Sequence, residues 1–422
     1  MKAVFSPAAL RGELPAIPSK SDAHRALICA ALADAPTRLV MPDWPANDIQ
    51  ATIRCLNALG AKIARTDGAL VVQPIQPSPK CAELNCGESG STLRFLLPVA
   101  AALGRETRFT GEGRLPDRPI GPLLDCLRAG GITIEGNLLP LHLSGQLQSG
   151  EYRLPGDVSS QFISGFLLAL PLLPEGGEIR LSGPLQSAPY VEMTLQTFAR
   201  FSIQVEQLPD GWRIPAGQRY RSPDVFEIEG DWSNMAFFLA AGALCGPVTC
   251  TGLSRDSLQG DREILNLLRR FGASVEESDG RVTVSPAPLR AVHADISQTP
   301  DLAPILAVVA AVVQGESVFT GAGRLRIKET DRLQTVTAML RALGAHVIEG
   351  EDSFRVIGQP MLREGNADGT GDHRISMAAA IAATVCEGQV TLTGAESVEK
   401  SYPSFYQDYV KLGGKCDVVD DR

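Results

Sequence analysis

The chain has 422 residues, 44% of them hydrophobic and 21% charged, with a formal net charge of -9 from 39 basic and 48 acidic side chains. That length predicts two domains rather than one core, and the composition excludes a mostly disordered chain. The acidic balance argues against a general nucleic-acid binder, while leaving room for a local basic site that holds small anions.

The first residues, broken by Pro7, do not read as an export segment, and the longest apolar runs are too short for a membrane span. Nine cysteines form no CxxC or His-rich ligand set, so no metal site is expected. The odd cysteine count and missing leader suggest a cytoplasmic protein.

In chain order, one pattern returns six times. A helical stretch ends at Gly60, Gly131, Ser202, Gly272, Gly344 and Gly413, spaced 69 to 72 residues apart. Glycine at such a place ends a helix in the left-handed conformation, and a strand is expected to follow directly. Serine in the third copy makes a weaker cap. A short β-branched run ends at Gly111, Gly183, Gly252, Gly321 and Gly394, with Pro42 in the first copy. Each copy also holds a small-residue-rich helix, starting near Ser21, Ser89, Ser159, Trp232, Pro300 and His373. These helices are apolar on most faces, which suits central, buried positions. The regular spacing predicts six α/β units grouped three and three. Changes of tone near Arg11–Pro18 and Pro223–Gly230 place one domain at 14–226, inserted into a second made of 1–13 and 227–422. Ligands are expected in a cleft between the two.

The buried-helix starts carry the unusual polar residues. Lys20, Ser21 and Arg25 open the first, where cations are unfavourable unless an anion shares the space. Glu88, Ser89, Gly90 and Arg94 open the second, without the GKS/T ending of a nucleotide loop. Ser159, Ser160 and Gln161 open the third and serve equally as caps or anion donors. Asp301 opens the fifth, and Asp372-His373-Arg374 the sixth. The densest charge, Arg324-Leu325-Arg326-Ile327-Lys328-Glu329-Thr330-Asp331-Arg332, follows the Gly321 marker and is expected to open the amphipathic helix of unit five, with Arg118 and Lys400 at related places in units two and six. Each of these also has a plainer reading, as a solvated face or a helix cap. Pooled, the cations exceed the need of one carboxylate and suit two anionic substrates, at least one phosphorylated. Asp301 and Glu329 offer proton transfer. The residues alone reach "anion-handling transferase or lyase" and stop there.

The strings SKSDAHRALICAALA, NCGESGSTLRFLLPVAA, GEGRLPDRPIG, GDVSSQFISG, SAPYVEMT, RIKETDR, GDHRISMA and EKSYPSF, in this order and in phase with the repeat, resemble the EPSP synthase family of enolpyruvyl transferases. The resemblance covers essentially the whole chain. It implies a two-domain inside-out α/β barrel of six βαβαββ units, with buried parallel helices in the middle and sheets outside. It implies transfer of the enolpyruvyl group of phosphoenolpyruvate to the 5-hydroxyl of shikimate 3-phosphate, by addition–elimination through a tetrahedral ketal phosphate, on the route to chorismate. It implies no cofactor, no metal, no nucleic acid or membrane partner, and a monomer. Ser21, Arg25, Ser159, Ser160, Gln161, Ser187, Tyr190, Asp301, Arg324 and Lys328 become the shikimate 3-phosphate set. Lys20, Gly90, Arg118, Gln161, Arg332, Arg374 and Lys400 become the phosphoenolpyruvate set, with Gly90 leaving room for phosphate. Lys20, Asp301, Glu329 and Lys400 become catalytic, Asp301 as base and Glu329 as proton handler, although the cations around Glu329 favour its ionised form. Glyphosate is expected to compete with phosphoenolpyruvate.

Three positions depart from a common family version: Ala23 for Ser, Glu88 for Asn, and Arg324 for Asn. The sister UDP-N-acetylglucosamine enolpyruvyl transferases are the rival reading, but the 109–120 stretch lacks their loop cysteine. A non-catalytic anion-binding module is the alternative of another class.

Overall fold

The structure is a computed structural model that describes residues 1–42, 46–76 and 81–419. It is an α/β protein of two compact units. The inserted unit is Pro18–Ile228; the split unit joins Met1–Ile17 to the chain from Glu229 onward. The first crossing lies beyond Pro15, because Gly12–Pro15 pairs with Val248–Thr251 of the split unit. Likewise Val225–Glu227 pairs with Thr37–Val40, which keeps it in the inserted unit.

The helices are α1 (Lys20–Leu32), α2 (Asn47–Ala58), α3 (Gly90–Ala102), α4 (Gly121–Ala129), α5 (Ser160–Ala169), α6 (Ala188–Arg200), α7 (Trp232–Leu244), α8 (Ile264–Phe271), α9 (Ala303–Ala311), α10 (Arg332–Ala342), α11 (His373–Ala382) and α12 (Phe405–Lys411). Odd-numbered helices are the small-residue-rich ones. In α9 all nine residues are buried, from Ala303 to Ala311. Such a helix has no solvent face and belongs inside a core. Even-numbered helices bury one side only; α8 buries Ile264, Leu265, Leu267, Leu268 and Phe271 while Arg269 and Arg270 stay out. Caps define the odd helices. The side chains of Ser19, Ser89, Ser159, Asp231 and Asp372 accept bonds from first-turn amides. Helix α9 begins instead with a tight turn at Pro300–Leu302.

Among the described residues there are six four-stranded sheets, each with one parallel edge pair followed by two antiparallel pairings. One example is Cys81–Asn85, Glu106–Thr110, Leu141–Ser144 and Thr133–Glu135. Its first two strands are parallel, the rest antiparallel. The parallel pair is joined through α3, as a crossover helix requires. The sheet of Gly365–Asp368, Val390–Thr393, Lys2–Ser6 and Lys415–Val419 takes its third strand from the N-terminus. Each unit has its own apolar cluster.

All six predicted helix stops are left-handed, Gly60 at φ 106° and Ser202 at φ 60° among them. The strand after Ser202 starts only at Glu206. In the other five copies it begins two residues past the stop, as at Lys62 after Gly60.

Candidate active site

In the inserted unit the starts of α1, α3, α5 and α6 hold the predicted anion-binding side chains. Lys20 is the first residue of α1, and its ammonium sits 2.8 Å from the Asp48 carboxylate on α2. Arg25, one turn further, is 2% exposed. Its guanidinium donates to Thr194 Oγ1 at 2.8 Å and to the carbonyls of Ser21 and Tyr190, both at 2.6 Å. It lies 5.1 Å from the Phe95 ring centroid. Burial pulls its pKa down to about 10. Three neutral oxygens orient this cation without cancelling its charge, which is what an anion site needs.

Arg94 donates to Gln161 Oε1 at 2.7 Å, and Gln161 donates to Ser91 Oγ at 2.7 Å. Helices α3 and α5 approach closely here, since a Cβ on Gly165 would fall 2.3 Å from the Arg94 carbonyl oxygen. That contact fixes the height at which Arg94 and Gln161 meet. Ser159 caps α5, so its hydroxyl accepts the Gln161 amide at 3.3 Å. Ser160 and Ser187 are buried beside these helix starts. Ser187 has φ 54°, a left-handed conformation a serine rarely adopts, at the entry to α6. Strain of this kind concentrates at functional positions.

Gly90 lies against Arg118. A Cβ there would meet the Arg118 guanidinium, 2.5 Å from Nη1 and 3.0 Å from Cζ. The space beside the glycine is filled by a cation from the neighbouring loop. Arg118 is 9% exposed, and its Nε has no hydrogen-bond partner among the described residues. Glu88 packs its carboxylate against the α-carbon of Gly113, in the loop that leads to Arg118. Ala23 is buried in the apolar cluster.

In the split unit the cluster centres on two acids. Asp301 Oδ1 lies 2.7 Å from Arg332 Nη1 and 3.2 Å from Lys328 Nζ, and Oδ2 lies 3.3 Å from Arg374 Nη2. Burial pushes the Asp301 carboxyl up, but Arg374, Lys328 and Arg332 together outweigh it and hold the pKa well below the usual carboxylate value. Burial lowers Lys328 to about 8, against the pull of Asp301, and Arg332 and Arg324 lower it further. Arg332, 1% exposed, also pairs with Glu329 and with Asp372, whose Oδ2 is 2.9 Å from Nε. Asp372 is fully buried, caps α11 through the Arg374 amide at 3.0 Å, and accepts from Thr330 at 3.2 Å. Lys400 donates to the Gly371 carbonyl, one residue before that cap.

The charged run before Arg332 is therefore not the first turn of α10. Gly323–Ile327 forms a short turn of its own, and Lys328–Asp331 links it to the helix. Asp331 caps α10, while Arg326 points away, to Asp331 at 2.9 Å and Glu349 at 3.0 Å.

Two acids escaped the sequence reading. Asp48 lies twelve residues before Gly60, as Arg332 does before Gly344. Asp261, eleven residues before Gly272 and so one position out of that phase, is 1% exposed and accepts from the Ser233 hydroxyl. Burial first, then the charge of Asp301, raises it to about 6. Repeat phase was the signal that could have found Asp48, and it comes within one residue of Asp261. Among the described residues no group of three or more His, Cys, Asp or Glu could hold a metal ion, and no helix is long and apolar enough to cross a membrane.

Residues 4–409 match the family model for EPSP synthase (3-phosphoshikimate 1-carboxyvinyltransferase). A 3-phosphoshikimate 1-carboxyvinyltransferase of Clostridium kluyveri is 42% identical over 419 residues, covering 98% of this chain and 97% of that protein. The enzyme of the same name from Methanocorpusculum labreanum is 38% identical, covering 98% and 99%. The solved structure of EPSP synthase from Acinetobacter baumannii superposes with a TM-score of 0.83 over 99% of this chain and all of that one, at 24% identity. The enolpyruvyl transferase NikO from Streptomyces tendae gives 0.78 at 22% identity, over 99% and 98% of the two chains. At those identities the two structures speak for the fold, which is that of the enolpyruvyl transferases. The family model and the curated relatives go further: this chain belongs to the EPSP synthase (3-phosphoshikimate 1-carboxyvinyltransferase) family.

Proposed function

We infer that the two charged clusters carry the reaction of this family. The chain transfers the enolpyruvyl group of phosphoenolpyruvate to shikimate 3-phosphate and releases phosphate, a step of the shikimate pathway to aromatic amino acids. The observation that carries the residue assignment is Asp301, a carboxylate gripped by Arg332, Lys328 and Arg374 with Glu329 on the same arginine. A scaffold has no use for such a concentration of buried charge, whereas two anions in transit do.

In the addition step a proton joins the methylene carbon of phosphoenolpyruvate and the 5-hydroxyl oxygen bonds to C2. Asp301 takes the hydroxyl proton. In the elimination step the C–O bond to phosphate breaks, and the methyl group returns one proton to leave the enol ether. Glu329 handles that proton, with Lys20 and Lys400 balancing charge at the phosphate and carboxylate. Ser21, Arg25, Ser159, Ser160, Gln161, Ser187, Tyr190, Arg324 and Lys328 hold shikimate 3-phosphate. Lys20, Gly90, Arg118, Gln161, Arg332, Arg374 and Lys400 hold phosphoenolpyruvate. All of these come from one chain, so a monomer suffices, and small soluble substrates suit a cytoplasmic enzyme.

The test is direct. Purified protein should release phosphate only with both substrates present, and should yield a product bearing a new enol ether. Phosphate release driven equally well by UDP-N-acetylglucosamine overturns the assignment.

Gly90→Ala follows from the Arg118 contact. A methyl group there displaces the guanidinium, so phosphoenolpyruvate KM should rise by about tenfold, roughly the value of one displaced charged contact. The glyphosate inhibition constant should rise too. Unchanged values for both ligands would show that Arg118 does not act on them from this position.

A further inference from the structure

We propose that His24 is a positioning residue for phosphoenolpyruvate binding, acting through a buried chain of hydroxyls that fixes the Ser89–Gly90 turn. The chain crosses three helices. His24 Nδ1 on α1 lies 2.8 Å from Thr52 Oγ1 on α2. Thr52 Oγ1 lies 2.7 Å from Thr92 Oγ1 on α3, and Thr92 Oγ1 lies 2.8 Å from Ser89 Oγ, the cap of that helix. Thr52, Thr92 and Ser89 are fully buried and His24 is 1% exposed.

Each hydroxyl has one proton, so the chain must run in one direction. Thr92 has two acceptors ahead of it, Ser89 Oγ and the Asp48 carbonyl at 3.4 Å. The carbonyl can only accept. If Thr92 donates forward, it receives from Thr52, and Thr52 receives from Nδ1–H. The imidazole is then the Nδ1–H tautomer, and Nε2 is a bare lone pair. Nε2 has no partner among the described residues. The reverse direction would bury an unpaired Nε2–H, and an orphaned donor is rarer than an orphaned acceptor. Burial, then the charges of Lys20 and Arg25, hold the imidazole pKa well below its ordinary value, so the ring stays neutral.

Both ends of the chain reach groups assigned above to phosphoenolpyruvate. Ser89 sets the start of α3, where Gly90 meets Arg118. The Asp48 carbonyl receives the branch from Thr92, while the Asp48 carboxylate holds Lys20. One helix turn after Lys20, His24 thereby fixes Lys20 and the Gly90 turn with respect to each other. The inference rests on that substrate assignment.

Two kinds of measurement test it. His24→Leu and Thr52→Val should each raise phosphoenolpyruvate KM by about tenfold, the worth of one buried hydrogen bond left unmade, and leave shikimate 3-phosphate KM within about twofold. The double variant should be no worse than either single one, because both cut the same chain. His24→Asn, which can place an amide N–H near the Nδ1 position, should restore most of the loss. Independently, nitrogen NMR of wild-type protein with labelled histidine should show Nδ1 protonated and Nε2 bare at neutral pH. An Nε2–H tautomer, or both KM values rising together, overturns the proposal. Lys20→Met serves as the control on the assignment beneath it. If that variant raises phosphoenolpyruvate KM while His24→Leu does not, the relay alone falls. If Lys20→Met leaves it unchanged, the substrate assignment falls and the inference with it.

Discussion

Arg332→Met should cost the protein about 3–5 kcal/mol of stability as well as its turnover, the usual penalty for breaking a buried ion pair from one side. Arg332 is 1% exposed and bonds Asp301, Glu329 and Asp372 with its three nitrogens. Methionine fills a similar volume but leaves three carboxylates facing one another. Asp372 suffers most, being fully buried, with only the Thr330 hydroxyl and the Arg374 amide remaining among its described partners. Burial alone would lower the arginine pKa, yet Asp372, Glu329 and Asp301 raise it above its ordinary value. Its charge is thus bound more tightly in the folded state than in the unfolded one. Thermal unfolding should shift down by roughly 10 °C, given roughly 2–4 °C per kcal/mol for a unit of this size. Arg332→Lys should recover little, because one ammonium cannot reach three acids with fixed geometry. An unchanged melting temperature in Arg332→Met would falsify this account of the cluster.

The parts of this fold that were legible in sequence are those governed by local rules. The six helix stops follow from the need for a left-handed residue before a strand, and even Ser202 obeys. The odd-numbered helices declared themselves by having no polar face, as α9 does from Ala303 to Ala311. Strand partnership across long separations was not legible. Gly12–Pro15 and Val225–Glu227 are three or four residues long, and their partners lie far away in the chain. Segments so short carry no usable periodicity.

In the site, cations at helix starts were conspicuous because a helix N-terminus disfavours them. Their counter-charges were not, since an acid in a first turn is ordinary. Asp48 passed as routine for that reason, though it stands in phase with Arg332, and Asp261 lies one residue from the same phase. Gly90 shows a different limit. Sequence can say that a side chain is missing there, but not that Arg118 takes the space.

Asp301→Asn should keep a folded protein and lower kcat by about 10²- to 10⁴-fold, the range expected when a general base is removed. Asparagine keeps an oxygen for Arg332 and Lys328, so shikimate 3-phosphate should bind nearly as before in calorimetry, and single-turnover rates should carry the loss. The pH dependence makes the prediction sharper. In the free protein Arg374, Lys328 and Arg332 outweigh burial and hold Asp301 well below the usual carboxylate pKa. A carboxylate so stabilised is a weak base. Both substrates are anions, and binding them against the same cations withdraws part of that stabilisation. The Asp301 pKa must then rise on binding, which turns it into a stronger base when the hydroxyl arrives. The acid limb of kcat, which reports the bound enzyme, should therefore sit at higher pH than the Asp301 limb of kcat/KM, which reports the free enzyme. Asp261, raised to about 6 by burial and by Asp301, is the neighbouring carboxyl that titrates nearer neutrality. Any limb of kcat/KM near that pH should consequently move to lower pH in Asp301→Asn, which removes one cause of that rise, and vanish in Asp261→Asn. Wild-type turnover in Asp301→Asn removes the base assignment. A limb near pH 6 that is unchanged in Asp261→Asn and lost altogether in Asp301→Asn would show that the three cations do not dominate the Asp301 titration.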